Sequence, residues 1–249
     1  MLYRKFAAHL EDFLRNEPRK IMLVNGARKI GKSYLIRQVG NKLFKNYVEI
    51  NLKADKEGSG IFASVRSVEE FFLQLGAIAG NRLGNRDDTI VFLDEIQSYP
   101  HLMTMLKFLN EDGRYRYIAS GSELGVALAQ TPSVPIGSIA IEQMYPLDFE
   151  EFLLAMGCSQ DTIDGMREYF HDRKPLNDSL HNYMLRQFKI YLLVGGMPDA
   201  INKFITSRNI AHVRNIPRDL HSLYHLDASH SDAERQLVLC QIYHLLPSN

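Results

Sequence analysis

Residues 26–33 of this 249-residue chain, Gly-Ala-Arg-Lys-Ile-Gly-Lys-Ser, have the types and spacing that hold an anion. Glycines let backbone N–H groups approach a ligand closely, and the N–H groups that begin a helix are unpaired and lie at its positive end. A lysine and a hydroxyl follow directly. The pattern G-x-x-x-x-G-K-[ST] is that of the phosphate-binding P-loop. The alternative is an ordinary glycine-containing turn with a surface lysine.

The spacing also predicts what each residue of the loop does. Lys32 would bridge the β- and γ-phosphates of ATP, and the Ser33 hydroxyl would ligate Mg²⁺. The side chains of Arg28 and Lys29 either help to hold phosphate or form a solvated tip. The predicted nucleotide-binding residues are Gly26, Ala27, Arg28, Lys29, Ile30, Gly31, Lys32, Ser33 and Tyr34.

A pair of carboxylates ends a second apolar run. Residues 89–93, Thr-Ile-Val-Phe-Leu, lead directly into Asp94 and Glu95. Such a run predicts a buried parallel strand, and α/β folds bind ligands at the carboxyl ends of their strands. Asp94 is then placed to hold Mg²⁺ through water, and Glu95 to act as the general base that polarises the attacking water. The alternative is a strand that ends in solvated charges.

Residues 115–122 predict a further strand that also ends in small polar residues. This strand should lie beside the P-loop strand and present Ser120 or Ser122 near the γ-phosphate. A Ser-Gly-Ser sequence is also ordinary turn chemistry, so each serine alone is a weak signal. The predicted catalytic residues are Lys32, Glu95 and Ser122, and the predicted metal ligands are Ser33 and Asp94.

Strand and helix signals alternate through the first 146 residues. This order predicts an α/β fold of the P-loop NTPase (AAA-like) type, with a parallel sheet flanked by helices. Polar residues 53–60 predict a mobile loop, the Pro-containing segment 130–138 predicts an exposed loop, and Ser67 predicts a helix start. The predicted strands are 20–24, 46–52, 89–93, 115–122 and 139–141, and the predicted helices include 3–16, 34–39 and 101–109.

After residue 146 the strand signal fades. We therefore predict a P-loop ATPase core over residues 1–146 and an all-helical or winged-helix lid region over residues 147–249. Residues 195–198, Gly-Gly-Met-Pro, follow no strand, so they predict a helix end and a helix start rather than a second phosphate loop. The predicted helices of this region are 149–154, 162–170, 179–193, 198–207, 210–226 and 232–246.

The charge balance gives nucleic acid only weak support as a partner. Lys and Arg together number 29, as do Asp and Glu, which argues against a protein that coats nucleic acid. In the helical region the basic Arg214 and Arg218 are offset by Asp219 and Asp227.

Cysteine and histidine spacing gives no strong metal signal. Cys158 and Cys240 have no metal-binding spacing, which fits a reducing cytoplasm. His221 and His225 lie one helical turn apart with His230 nearby, so a metal site is an alternative to an ordinary helix surface. No apolar run approaches the roughly 20 residues that a membrane span needs. These features predict a cytoplasmic protein that does not bind membranes.

Together these segments resemble the prokaryotic AAA-like P-loop ATPases whose C-terminal half carries the uncharacterised domain DUF4143. The two Walker motifs are shared by many ATPases, whereas the Tyr-Pro-Leu-x-Phe-x-Glu-Phe and Gly-Gly-Met-Pro segments are far more specific. The resemblance extends over nearly the whole chain. The segments that carry it are 26–35, 92–97, 119–128, 144–152 and 195–200.

The resemblance implies an AAA-type core, a helical or winged-helix region and a further C-terminal domain. This chain would be the N-terminal ATPase part, and its partner would be its own C-terminal domain or another protein. Two positions depart from the family pattern. Lys29 stands where Gln is frequent, and Ser138 stands after Gly137 where Arg or Lys is frequent.

These observations predict a magnesium-dependent ATPase that couples its nucleotide state to movement of the helical lid. Glu95, as a general base, favours this interpretation. The alternative is a nucleotide-gated switch or interaction protein with little turnover. The lack of an identifiable arginine finger favours that alternative.

Overall fold

The computed structural model describes residues 2–122, 124 and 137–231, with the backbone alone for residues 225–231. The chain divides into two compact units, one formed by Tyr3–Pro146 and the other by residues from Leu147 onward together with Leu2. The first unit contains a five-stranded sheet in the order β2-β3-β4-β1-β5, and every pair of neighbouring strands is parallel. The strands are β1 (Ile21–Asn25), β2 (Asn46–Asn51), β3 (Thr89–Asp94), β4 (Arg116–Gly121) and β5 (Ile139–Gln143).

Helices cover both faces of this sheet. All six residues of β3 and all six of β4 are buried, which explains the nearly continuous apolar run of β3. Val91 packs with α4 and α5, whereas Ile90, on the opposite face, lies against Gly40 of α2. The helices of this unit are α1 (Lys5–Asn16), α2 (Lys32–Leu43), α3 (Leu52–Glu57), α4 (Val68–Ala79) and α5 (Pro100–Asp112). The predicted α/β fold is therefore confirmed, and β4 lies beside β1 as expected.

The prediction of a loop over residues 53–60 was wrong in its first part. The side chain of Asn51 accepts a hydrogen bond from the Ala54 N–H at 2.9 Å and begins helix α3. The helix start predicted at Ser67 is confirmed, since its hydroxyl accepts from the Glu70 N–H at 3.2 Å. Most of the predicted loop 130–138 lies outside the described residues.

The second unit is helical over its described residues. Its core contains Leu147, Phe152 and Phe204, among others. The predicted helix end at residues 195–198 is confirmed, because Gly195 has a φ of 77° and the next helix begins at Pro198. The helices are α6 (Phe149–Ala155), α7 (Gln160–His171), α8 (Asp178–Val194), α9 (Pro198–Ser207) and α10 (Asn215–Ser231).

Two helices predicted for this region are not confirmed as predicted. The helix predicted over 210–226 begins later, since a 3₁₀ turn over Ile210–His212 precedes α10. The helix predicted over 232–246 lies outside the described residues. The assignment of residues 147–249 as a lid stays a prediction.

Candidate functional site

The loop between β1 and α2 is shaped by two glycines for different reasons. A Cβ on Gly26 would lie 2.4 Å from the Met144 carbonyl oxygen and 2.6 Å from Ile30 Cδ1, so only glycine fits there. Gly31 has a φ of 95°, in the left-handed region that favours glycine, and directly precedes α2. The first N–H groups of α2 have no intrahelical partner and form a site suited to an anion.

Lys32 lies inside this loop. Its side chain is buried, and its Nζ donates to the carbonyl oxygens of Gly26 at 2.8 Å and Ala27 at 2.9 Å. Burial lowers the pKa of Lys32, while the nearby carboxylates of Glu95 and Asp94 oppose that fall. A lysine ammonium has three N–H donors, so two of them brace the loop and one is left for a phosphate oxygen.

Asp94 joins the P-loop helix to strand β4. Its Oδ2 accepts a hydrogen bond from Ser33 Oγ at 2.8 Å, and its Oδ1 accepts one from Ser120 Oγ. Burial raises the pKa of Asp94, against the opposing effect of the two serine hydroxyls. The structure thus brings Ser33 and Asp94, the two predicted metal ligands, into contact. Hydroxyl and carboxylate oxygens are the ligands that Mg²⁺ prefers, so the residues present fit this ion.

Glu95 lies in a second polar network at the same edge of the sheet. Gln97 Nε2 donates to Glu95 Oε2 at 2.5 Å, and Ser122 Oγ donates to the same oxygen at 3.3 Å. Arg28 Nε donates to Ser122 Oγ at 3.5 Å, whereas the Lys29 side chain is exposed. The two basic residues of the loop therefore differ in position: Arg28 contacts Ser122, a partner of Glu95, and the Lys29 side chain lies in solvent.

The other predicted loop residues take different positions. Ile30 is fully buried and anchors the loop, while the Tyr34 side chain in the first turn of α2 is 54% exposed. Tyr34 can therefore contribute its backbone N–H while its ring lies largely in solvent.

Two residues of the site were missed by sequence reasoning. Arg4 is buried and donates to the Ile30 carbonyl at 2.9 Å and to the Tyr145 carbonyl. It therefore connects the P-loop to the segment that follows β5. Gln97 contacts Glu95 from a turn that follows β3. A lone Arg has no motif spacing, so no sequence signal identified Arg4. Gln97 ends the segment 92–97, which carries the family resemblance, but no role was predicted for it.

The histidine alternative finds no support in the described part of the chain. Among those residues, no group of three or more His, Cys, Asp or Glu side chains is placed to hold a metal ion. The side chains of His225 and His230 lie outside the description.

A family model described as an AAA domain matches residues 18–153, which is more than half of the chain. The chain belongs to this AAA-domain family. The match includes the P-loop, the Asp94–Glu95 pair and strand β4. The AAA-domain chain is thus a P-loop ATPase-like nucleotide-binding protein, as the sequence predicted.

The AAA-domain chain is also similar to one curated protein and to solved structures. An uncharacterised protein of Methanocaldococcus jannaschii, MJ1544, is 27% identical over 137 residues, which is 55% of this chain and 29% of that protein. The chain thus spans less than a third of the length of this curated relative. The Walker-type ATPase PABY2304 of Pyrococcus abyssi matches with a TM-score of 0.53 and 16% identity, over 100% of this chain and 77% of that one. PCH-2 of C. elegans matches with a TM-score of 0.44 and 15% identity, over 84% and 65%.

Some predictions stay predictions after these comparisons. The family model ends at residue 153, so the expected DUF4143 domain is not tested by it. Within the described residues, no helix combines the length and apolar character needed to cross a bilayer. The cytoplasmic location and the protein partner remain expectations.

Proposed function

We propose that this AAA-domain chain is a magnesium-dependent ATPase that couples its nucleotide state to movement of the helical region after residue 146. The observation that carries the proposal is the convergence of Lys32, Ser33, Asp94 and Glu95 at one edge of the sheet. These residues come from the P-loop and the end of β3, yet hydrogen bonds and charge interactions connect them. That set supplies the groups which phosphoryl transfer to water requires.

Each residue has a defined role in this proposal. The backbone N–H groups of residues 26–33 and the third N–H of Lys32 hold the phosphates of ATP. Ser33 and Asp94 hold Mg²⁺, which when bound neutralises charge on the phosphate oxygens. Glu95 accepts a proton from the attacking water as its oxygen bonds to the γ-phosphorus and the bond to ADP breaks.

The second candidate is a nucleotide-gated switch that rarely turns over. Ser138 favours it, because the resembled family often has a basic residue at that position. A basic residue supplied to the γ-phosphate stabilises the charge of the transition state. In both cases the helical region, a further C-terminal domain or a separate protein would respond to the nucleotide, and nucleic acid is a less supported partner.

The test compares two lysines of the same helix. Lys32→Ala removes the buried ammonium from the loop, whereas Lys42→Ala removes an exposed lysine that pairs with Glu11 at 2.7 Å. ATP binding and phosphate release are measured for both variants and the wild type. The proposal predicts that Lys32→Ala loses both activities and that Lys42→Ala retains both. Wild-type binding without phosphate release would support the switch, and equal ATP binding by Lys32→Ala would refute the P-loop assignment.

A further inference from the structure

The backbone at Glu95 has a conformation that residues other than glycine rarely adopt. Its φ of 56° and ψ of 48° lie in the left-handed region, which is unfavourable for a residue other than glycine. Such strain persists where the surrounding structure enforces it, often at functional sites. Here the fully buried Ile96 anchors the following turn, Ile96–Ser98. The turn reverses the chain, so the Gln97 side chain returns to the carboxylate of Glu95.

Gln97 and Ser122 together fix one oxygen of that carboxylate. Gln97 Nε2 donates to Glu95 Oε2 at 2.5 Å and to Ser122 Oγ at 3.3 Å, and Ser122 Oγ donates to the same Oε2 at 3.3 Å. Within the described part of the chain, both side-chain hydrogen bonds to Glu95 go to Oε2 and none goes to Oε1. One oxygen is thus held while the other remains able to accept a proton from water.

The oxygen end of the Gln97 amide lies in a space beside Gly121. Its Oε1 is buried and accepts no hydrogen bond from the residues described. A Cβ on Gly121 would lie 2.5 Å from this oxygen, so the glycine makes room for it. A buried acceptor without a donor is costly. The compensation is the donor end of the amide, since a hydrogen bond to a charged carboxylate is stronger than one to a neutral group.

The held carboxylate lies on the phosphate side of the site. Ser122 Oγ, which donates to Glu95 Oε2 at 3.3 Å, also accepts a hydrogen bond from Arg28 Nε of the P-loop at 3.5 Å, so the carboxylate lies beside this loop. The Lys32 ammonium in turn lies inside the P-loop, bound to the Gly26 and Ala27 carbonyls. Gln97 therefore holds Glu95 towards the place where a γ-phosphate and its attacking water would lie.

We propose that Gln97 is a positioning residue that orients Glu95 for proton abstraction during ATP hydrolysis. This inference rests on the proposed function and adds a residue to it. Gln97 itself does not contact nucleotide in this account. Its loss should therefore slow the chemical step and leave ATP binding unchanged.

The experiment is a double-mutant cycle between Gln97 and Glu95. ATP affinity and the hydrolysis rate are measured for wild type, Gln97→Ala, Glu95→Gln and the double variant, with a radiolabelled single-turnover assay for the slow forms. Gln38→Ala, an exposed amide on α2, is the matched control. Gln97→Met keeps the approximate size of the side chain but has no N–H to donate, so it separates the hydrogen bond from simple packing.

The proposal predicts that Gln97→Ala and Gln97→Met hydrolyse ATP about tenfold more slowly or worse, the scale of a lost hydrogen bond to a charged group. ATP affinity should not change. In the Glu95→Gln background the Gln97→Ala change should cause no further loss, because both act through the same carboxylate.

Three results would overturn the role of Gln97 alone: a wild-type rate in Gln97→Ala, a faster rate, or a loss that adds fully to that of Glu95→Gln. If instead wild type hydrolyses ATP no faster than Glu95→Gln, the proposed function fails, and the role of Gln97 fails with it.

Discussion

Ser33 Oγ donates a hydrogen bond to Asp94 Oδ2 at 2.8 Å, although the two residues are 61 positions apart in the chain. Ser33 lies in the first turn of α2 and Asp94 ends β3, so the contact joins two segments that meet at the carboxyl edge of the sheet. The hydroxyl and the carboxylate are therefore preorganised as neighbouring oxygen ligands, a donor set that suits Mg²⁺.

The first prediction concerns the charge of Asp94. Asp94→Asn keeps the shape but loses the charge, so Mg²⁺ should increase ATP affinity less than it does in wild type. Affinity in the presence of a chelator should change little. Titrations with and without Mg²⁺ measure both, and Asp88→Asn, exposed just before β3, is the control. An unchanged effect of Mg²⁺ in Asp94→Asn would show that Asp94 does not hold the metal.

The second prediction compares Gly26, which has no room for a Cβ, with Gly76, which has room for one. Gly26→Ala places a Cβ 2.4 Å from the backbone oxygen of Met144, which must displace the P-loop. A distortion of about 1.4 kcal/mol already weakens ATP binding tenfold.

Gly76→Ala is the matched control, because a Cβ there meets no atom within 4 Å in the middle of α4. It should stabilise the fold by roughly 0.5–1 kcal/mol and leave ATP binding intact. Thermal melts and ATP titrations measure both variants. Equal ATP affinity in the two variants would contradict the close approach at Gly26.

The third prediction concerns acid stability of the segment after α3. The Asp55 carboxylate accepts hydrogen bonds from the N–H groups of Ile61 and Phe62 at 3.1 Å each, and from Ser59 and Tyr99 hydroxyls at 2.8 and 3.0 Å. Burial acts to raise the pKa of Asp55, but these hydrogen bonds outweigh it and lower the pKa.

A carboxylate with a lowered pKa stabilises the fold above its unfolded pKa of about 3.9, and the effect is lost as pH falls through the folded value. Asp55→Asn should therefore be less stable than wild type at neutral pH, and the difference should shrink below about pH 4. Urea unfolding at a series of pH values measures the difference, with Asp88→Asn as the control. A difference that does not depend on pH would exclude the ionised carboxylate as its cause.

The sequence predicted the parts of the site that depend on local patterns. The P-loop follows from its motif, whereas the buried strand that leads into Asp94 and the position of β4 beside β1 follow from rules on parallel sheets. The helix α3 was missed because the Asn51 side chain caps it, which outweighs the polar composition of the segment.

Residues held by tertiary contacts could not be predicted in the same way. Gln97 reaches Glu95 only because Glu95 adopts a left-handed backbone conformation. Arg4 finds its acceptors at Ile30, 26 positions away, and at Tyr145, 141 positions away. These partners are set by the folded chain, and no spacing in the sequence indicates them.

The central claim is that Glu95 is the base for ATP hydrolysis at this site, and its most direct test is the phosphate release rate of Glu95→Gln beside its ATP affinity. The variant keeps the shape of the side chain but cannot accept a proton. The account predicts that ATP affinity is retained and that hydrolysis slows by about 10²–10⁴-fold, while Glu69→Gln, exposed on α4, behaves as wild type. Phosphate release by Glu95→Gln at the wild-type rate would contradict it.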